Sequence, residues 1–431
     1  MRMTLKERRD RMSRRLFYSL FFTLPLTAVF GHKGVAPWLL IASLPAFVRG
    51  DFWQSVFGEL FDKADIREPA FAAFLAISFF CFWILLSGIW SPKHHYALFS
   101  YVLAPALIGG SVVWYSLNLP GEWTYRLSAA FALSIVGGMI VLSFEGVTDG
   151  FLRRVLPPDE PGQSLARDLA GLGRGVTALA PALFPAAIIA RTLWGRAAAA
   201  GILLFGVLAA FSNNITANAV AIALGLCVSL IAIRAPRRTL TAVVWLALGL
   251  LVTSPLLFAF LPVEAILETA RNELSPTTQQ FVSSWLHRLV AWQAISTRII
   301  EGLPFGFGAD FTRMWSLEAG MMTLPGAPGP VLAMTVHPHN IFLQIWLELG
   351  LPGVIAFGIA MYMSLKTLIN AAPPAPVFAA AAGALAAILV SIMVEGSLWE
   401  VWRIAAMALA AMGVALCAAL FEKLRVTPRG R

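Results

Sequence analysis

Read only for its hydrophobic and polar positions, the chain is a series of long apolar runs separated by short polar breaks. Twelve runs stand out, at 16–30, 35–49, 70–90, 97–116, 124–145, 176–190, 197–211, 218–233, 239–260, 341–368, 376–394 and 399–421. Most approach the ~20 residues a helix needs to cross a hydrocarbon core about 30 Å thick. A stretch such as 70–90 lacks the in/out alternation of a barrel strand. Within lipid each backbone amide must bond inside its own segment, which leaves helices. The pattern predicts an all-α polytopic membrane protein with about twelve transmembrane helices and one long loop. Three regions follow: helices over 1–260, the loop over 261–340, and helices over 341–431.

Composition agrees, with 58% hydrophobic and 13% charged residues, against about 25% charged in soluble chains. The net charge of +9 matters less than its distribution. Arg2, Lys6, Arg8, Arg9, Arg11, Arg14 and Arg15 precede the first run, Arg234, Arg237 and Arg238 cluster later, and Lys423, Arg425, Arg429 and Arg431 close the chain. The positive-inside rule makes these clusters cytoplasmic and the 261–340 loop external. The 146–175 segment also falls outside, although Arg153, Arg154, Arg167 and Arg174 make it basic. The basic start mimics a signal peptide, but Gly31-His32-Lys33-Gly34 is no small-x-small cleavage site, so an uncleaved first span is expected. Cys81, Cys227 and Cys417 each lie in an apolar run and form no disulfide framework. A nucleic-acid partner would need a basic soluble domain with base-stacking aromatics, and there is none.

The loop has a globular texture. Residues 283–300 show helical spacing, with Trp285, Leu286, Leu289, Val290 and Trp292 on an apolar side and Ser283 or Ser284 as N-caps. Glycine and proline then break the helix at Glu301-Gly-Leu-Pro-Phe-Gly306-Phe-Gly308. Before the next run stands Val336-His337-Pro338-His339-Asn340. Pro338 biases His337 away from helical geometry, so His339 or Asn340 is a natural N-cap. A histidine there is disfavoured as imidazolium by the helix dipole, and the free first-turn amides attract an anion. The plainer reading is a helix cap beside a surface histidine. His337-x-His339 without a carboxylate or cysteine cluster is a poor metal site, and no metal is expected.

Several further residues stand out. Glu348, nine residues after His339, lies on the opposite face of the helix, which suits a structural hydrogen bond to neighbouring spans. Arg288 and Arg298 carry the planar fork that holds two phosphate oxygens, or they snorkel at the membrane surface. Trp292 stacks on Arg288 or a sugar, or anchors at the interface. Glu395 and Glu400/Arg403 flank the last external turn and are read as pairing with each other.

At these residues the chain resembles the O-antigen ligase and polymerase superfamily of bacterial inner-membrane glycosyltransferases. The family's histidine–asparagine pair and E-x-G-x-x-G run match His339-Asn340 and Glu348-Leu-Gly350-Leu-Pro-Gly353, and its upstream arginine, tryptophan and P-x-x-G-x-G turn match Arg288, Trp292 and Pro304-Phe-Gly306-Phe-Gly308. The resemblance implies transfer of a glycan from undecaprenyl diphosphate at the periplasmic face to a lipid A–core sugar or to another carrier-linked glycan. It implies His339 as base and Arg288 as diphosphate ligand, with inversion, no metal and no cofactor. Gly306, Gly308 and Glu348 would be structural, and Asn340, His337 and Trp292 would line the substrate site. The family's mid-chain serine–arginine pair is missing: the corresponding region, Phe211-Ser-Asn-Asn-Ile-Thr-Ala-Asn218, has no arginine. Asn213, Asn214 or Asn218 could hydrogen-bond a phosphate but not neutralise it, and Arg298 is a better substitute cation than Arg191. The competing class is a lipid-linked sugar transporter, which predicts inverted repeats and midplane charges; neither stands out. A third reading is a non-catalytic membrane partner in envelope assembly.

Overall fold

The computed structural model describes residues 5–55, 58, 65–92, 98–157, 164–213 and 215–426, which are overwhelmingly helical. In chain order the main helices are α1 Leu5–Phe21, α2 Val35–Phe47, α3 Pro69–Ser87, α4 Leu98–Leu117, α5 Gly121–Val147, α6 Leu165–Leu179, α7 Leu183–Trp194, α8 Arg196–Ser212, α9 Thr216–Arg234 and α10 Pro236–Ala259. Then come α11 Val263–Glu273, α12 Pro276–Gly302, α13 Phe311–Glu318, α14 over 341–370, α15 Ala375–Val394 and α16 Val401–Val426. The only sheet among the described residues is a two-stranded ribbon, β1 Met321–Met322 with β2 Val331–Leu332.

Nine stretches among the described residues are long and apolar enough to cross a membrane, and Ala104–Leu117 and Arg196–Ser212 are shorter apolar helices. Hydropathy counts Leu24–Phe47 as one stretch, but the chain turns within it. Gly31 sits at φ 58°, and a Cβ there would lie 2.1 Å from the Gly171 carbonyl. On either side of that turn the chain runs back on itself, because the Ser13 hydroxyl donates to the Pro45 carbonyl at 3.2 Å.

The expected run at 176–190 begins much earlier. Helix α6 starts at Leu165 and continues through a 3₁₀ turn at Ala180–Ala182 into α7, so the supposed 146–175 loop is helical from residue 165, with Asp168 buried and Arg167 and Arg174 exposed. Asp168 breaks the hydropathy pattern while facing protein. Asp168 pairs with the buried Arg153 at 3.2 Å, and Glu145 accepts from the amides of Leu152 and Arg153. Such satisfied ionic groups are tolerated inside a bundle.

Two ends of the bundle differ in character. One gathers Ser13, Tyr115 and Arg49, whose guanidinium lies 5.4 Å above Trp114, with Gly121 beside Lys423. The other gathers the Gly31 turn, Ser91, whose hydroxyl donates to Ala309, and the 276–340 segment. In that segment α12 is longer than its apolar spacing predicts. It starts at Pro276 on an N-cap from Ser275, whose side chain accepts from Thr278, and not at Ser283 or Ser284. The phase of hydrophobic residues cannot show this first turn, because the turn is exposed. Helix α12 is fixed across the end of α10 by Phe258–Trp292 packing and a bond from Gln293 to the Leu261 carbonyl.

Candidate active site

The chain enters α14 through a strained step. His339 adopts φ 54°, and Asn340 is the N-cap, its Oδ1 accepting from the amides of Phe342 and Leu343 at 3.1 and 3.2 Å. After one α turn the helix widens into a π turn at Ile345–Leu349 and resumes at Gly350, at φ 61°. Such bulges release carbonyls from the regular ladder. Here Leu347 and Glu348 offer theirs to the amides of Phe307 and Gly308, and Leu351 bonds to the Pro304 carbonyl. The approach is close enough to demand glycine. A Cβ on Gly306 would stand 2.6 Å from Glu348 backbone atoms, and one on Gly350 would stand 2.2 Å from the Pro304 carbonyl. The two glycine motifs are therefore halves of one joint.

Glu348 locks that joint. Its buried carboxylate accepts from the amides of Asp310 and Thr312 (2.9 and 3.2 Å), the Thr312 hydroxyl (2.7 Å), Gln344 (3.3 Å) and the Trp399 indole (2.7 Å). Gln344 in turn accepts from the Leu398 amide at 2.8 Å. One side chain thus ties the start of α14 to both the 304–312 turn and the 396–400 loop.

Beside this joint lies a polar cleft of about 280 Å³, lined by Arg174, Thr216, Ser284, Trp285, Arg288, His337, His339, Glu395, Glu400 and Arg403 among others. Arg288 lies 4.9 Å above the Trp285 ring, and its Nε is buried with no hydrogen-bond partner. The same is true of His339 Nδ1 and Asn340 Nδ2. Burial first, then the nearby Arg288 charge, pulls the His339 imidazolium pKa down to about 3, so the ring is neutral. Burial lowers His337 and Arg288 also, and raises Glu395. Arg403 is occupied: it pairs with Glu400 at 3.1 Å and also donates to Ser391 and to the Glu395 carbonyl. A neutral imidazole with a free nitrogen, beside guanidinium groups, can take a proton from a hydroxyl while the cations hold an anionic leaving group.

The residues singled out from sequence separate here. His339, His337 and Arg288 meet in the cleft, and Asn340 stands behind it as the cap. Trp292 does not stack on Arg288, whose partner is Trp285; it is buried against Phe258, and its indole donates to the Pro338 carbonyl at 2.8 Å, supporting the histidine loop. Arg298 is not among the lining residues. It lies ten residues along α12, paired with Glu301 over the Phe307 ring. Asn218 is a buried tie between helices, donating to the Gly173 carbonyl; Asn214 lies outside the described residues. Sequence reasoning missed Arg174 and the cleft position of Glu395. The cue for Arg174 was a lone arginine in a glycine-rich segment running into an apolar helix, which reads as loop until that helix is seen to line the cleft.

Comparison with known proteins covers the same part of the chain. Residues 198–358, which hold Arg288, both glycine motifs and His339, match the family described as O-antigen ligase. Two proteins named "Putative polysaccharide ligase", from Rickettsia conorii and Rickettsia prowazekii, are 35% identical over 85 residues, and the match spans only 20% of this chain and 20% of theirs. A Rickettsia felis protein of the same name is 24% identical over 407 residues, covering 90% of this chain and 94% of its own. The similarity to the O-antigen ligase family thus spans residues 198–358.

Proposed function

We propose that this protein transfers a glycan from undecaprenyl diphosphate to an acceptor sugar, with lipid A–core as the acceptor, in the bacterial inner membrane. The observation that carries the reading is the cleft itself: His339, which has an unpartnered ring nitrogen, lines the same space as Arg288 and Arg174. His339 takes the proton of the acceptor hydroxyl as that oxygen attacks the anomeric carbon. The bond to the diphosphate oxygen breaks, its electrons leave with the diphosphate, and the carbon inverts. Arg288 and Arg174 hold the departing charge, and a diphosphate so held needs no metal to leave. Arg174 takes the place in which Arg298 was expected.

The basic end of the bundle, with Arg49 and Lys423, suits the cytoplasm, and the cleft end suits the periplasm. Counting the reversal at Gly31, and the shorter α4 and α8, as crossings gives twelve passes, with both termini cytoplasmic. Polymerisation onto a carrier-linked glycan is the second reading, since it uses the same base and clamp.

Purified protein given lipid-linked donor and core acceptor should form a product whose anomeric configuration is the reverse of the donor's. No transfer to either acceptor class would refute the reading. In a deletion strain, bare core with polymer accumulated on the carrier marks a ligase, and single repeats on core mark a polymerase.

A further inference from the structure

Behind Glu395, which lines the cleft, the buried Thr177 hydroxyl stands within reach of three acceptors. These are the Gly173 carbonyl at 3.3 Å, Asn218 Oδ1 at 2.8 Å and Glu395 Oε2 at 3.0 Å. A hydroxyl has one proton to give. The orientation of Asn218 is fixed, because its Nδ2 donates to the Gly173 carbonyl at 2.9 Å, so its oxygen must be the atom facing Thr177. That oxygen brings no proton. Thr177 and Asn218 are both buried, where lone pairs facing each other without a proton are costly. The Thr177 proton therefore goes to Asn218. The contact with Glu395 is then a hydrogen bond only if Glu395 supplies its own proton.

We infer that Glu395 is held as a neutral carboxylic acid that donates to Thr177, leaving the cleft two unanswered positive charges for an anionic diphosphate diester. The charge balance rests on the donor proposed above. Glu400 answers Arg403, whereas Arg174 and Arg288 have no acidic partner within ion-pair distance among the described residues. A diphosphate diester carries two negative charges, so an ionised Glu395 would leave the cleft one charge short. Burial pushes the Glu395 carboxyl upward against the pull of Arg403, of the Thr177 hydroxyl, and of Arg288 and Arg174; the Thr177 contribution favours the anion only when its proton points at Glu395, and here that proton is given to Asn218. His337 and His339, which face the same space, are kept neutral by burial and add no charge. Raising the pH then removes the acid proton, breaks the bond to Thr177 and introduces a charge that repels the donor.

The direct test is infrared spectroscopy of the purified full chain. At neutral pH the carbonyl stretch of a protonated carboxylic acid should be present in the wild type, absent in Glu395→Gln, and lost from the wild type on alkaline titration. In Thr177→Val the band should move towards that of an acid without a hydrogen-bonded partner. A wild-type spectrum with no band that Glu395→Gln removes would overturn the inference, and the wild-type titration needs no variant to fold. The second arm measures binding of undecaprenyl diphosphate as the pH rises. The wild type should weaken by about tenfold or more, on the scale of one charge interaction, while Glu395→Gln loses that dependence. The same weakening in both would also overturn it. Failure of undecaprenyl diphosphate to bind at any pH would instead refute the donor reading, and the infrared band alone would then decide the state of Glu395.

Discussion

Two polar side chains at the start of α14, His339 and Glu348, are treated in opposite ways by the fold. Glu348 is surrounded by donors from the 310–312 turn, from Gln344 and from Trp399. His339 is also largely buried, yet its Nδ1 meets nothing, and neither does the Nε of the neighbouring Arg288. Buried polar atoms are nearly always satisfied, so an orphan calls for an explanation. The contrast separates framework from chemistry. Glu348 spends all its bonding capacity on holding two loops together, and the cleft keeps its capacity for a visitor.

The largest break in this comparison is Glu348→Ala. It strands several buried donors, each worth ~1–3 kcal/mol when unsatisfied, so a loss on the order of 4 kcal/mol is expected even after relaxation. Thermal unfolding in detergent should show a large drop in Tm, with transfer lost in proportion to folded protein. A variant of unchanged Tm would mean that Glu348 is no framework group. Next come the cations. Arg288→Lys exchanges a fork for a point charge, and Arg174→Ala removes a charge; each should raise the donor KM by about tenfold, or ~1.4 kcal/mol. Arg298→Ala, whose guanidinium is spent on Glu301, should change it by less than about twofold; equal effects at positions 174 and 298 would break the proposed clamp.

A smaller effect is expected from Trp292→Phe, which removes only the hydrogen bond to Pro338, worth about 1 kcal/mol. Its stability should fall by that amount with donor affinity held, and a loss of donor affinity would return Trp292 to the binding site. The subtlest test concerns charge. The His339 pKa is depressed by burial and by Arg288, so Arg288→Gln should raise it, as read from imidazole shifts in an NMR titration. The sign follows because removing a nearby positive charge favours the imidazolium. A fall would show that Arg288 does not act on the ring.

Much of this was legible in the residues. Near charge-free runs of about 20 residues set the helical membrane fold, because lipid leaves the backbone no other partner. Pro338 and Asn340 marked the helix start, since capping is a local property of the chain. Glycines 306, 308 and 350 announced breaks and turns but not what they approach: Gly306 and Gly350 meet each other's segments, and Gly308 meets Ser87 and Ser91. Arg174, Glu395 and the role of Trp292 were not legible. Their meaning depends on which helix ends converge, and a hydropathy trace reads the start of α6, where Asp168 is ion-paired with Arg153, as a polar loop. The choice of Arg298 over Arg191 passed over Arg174 for the same reason: position along α12 is not proximity to the cleft.

The measurement that bears most directly on the central claim is single-turnover transfer and donor binding by purified His339→Ala. A base contributes typically ~10²–10⁴ in rate. The account predicts a loss of that size in transfer while the lipid-linked donor still binds, because the guanidinium groups are untouched. Transfer at the wild-type rate by a folded His339→Ala protein would contradict it.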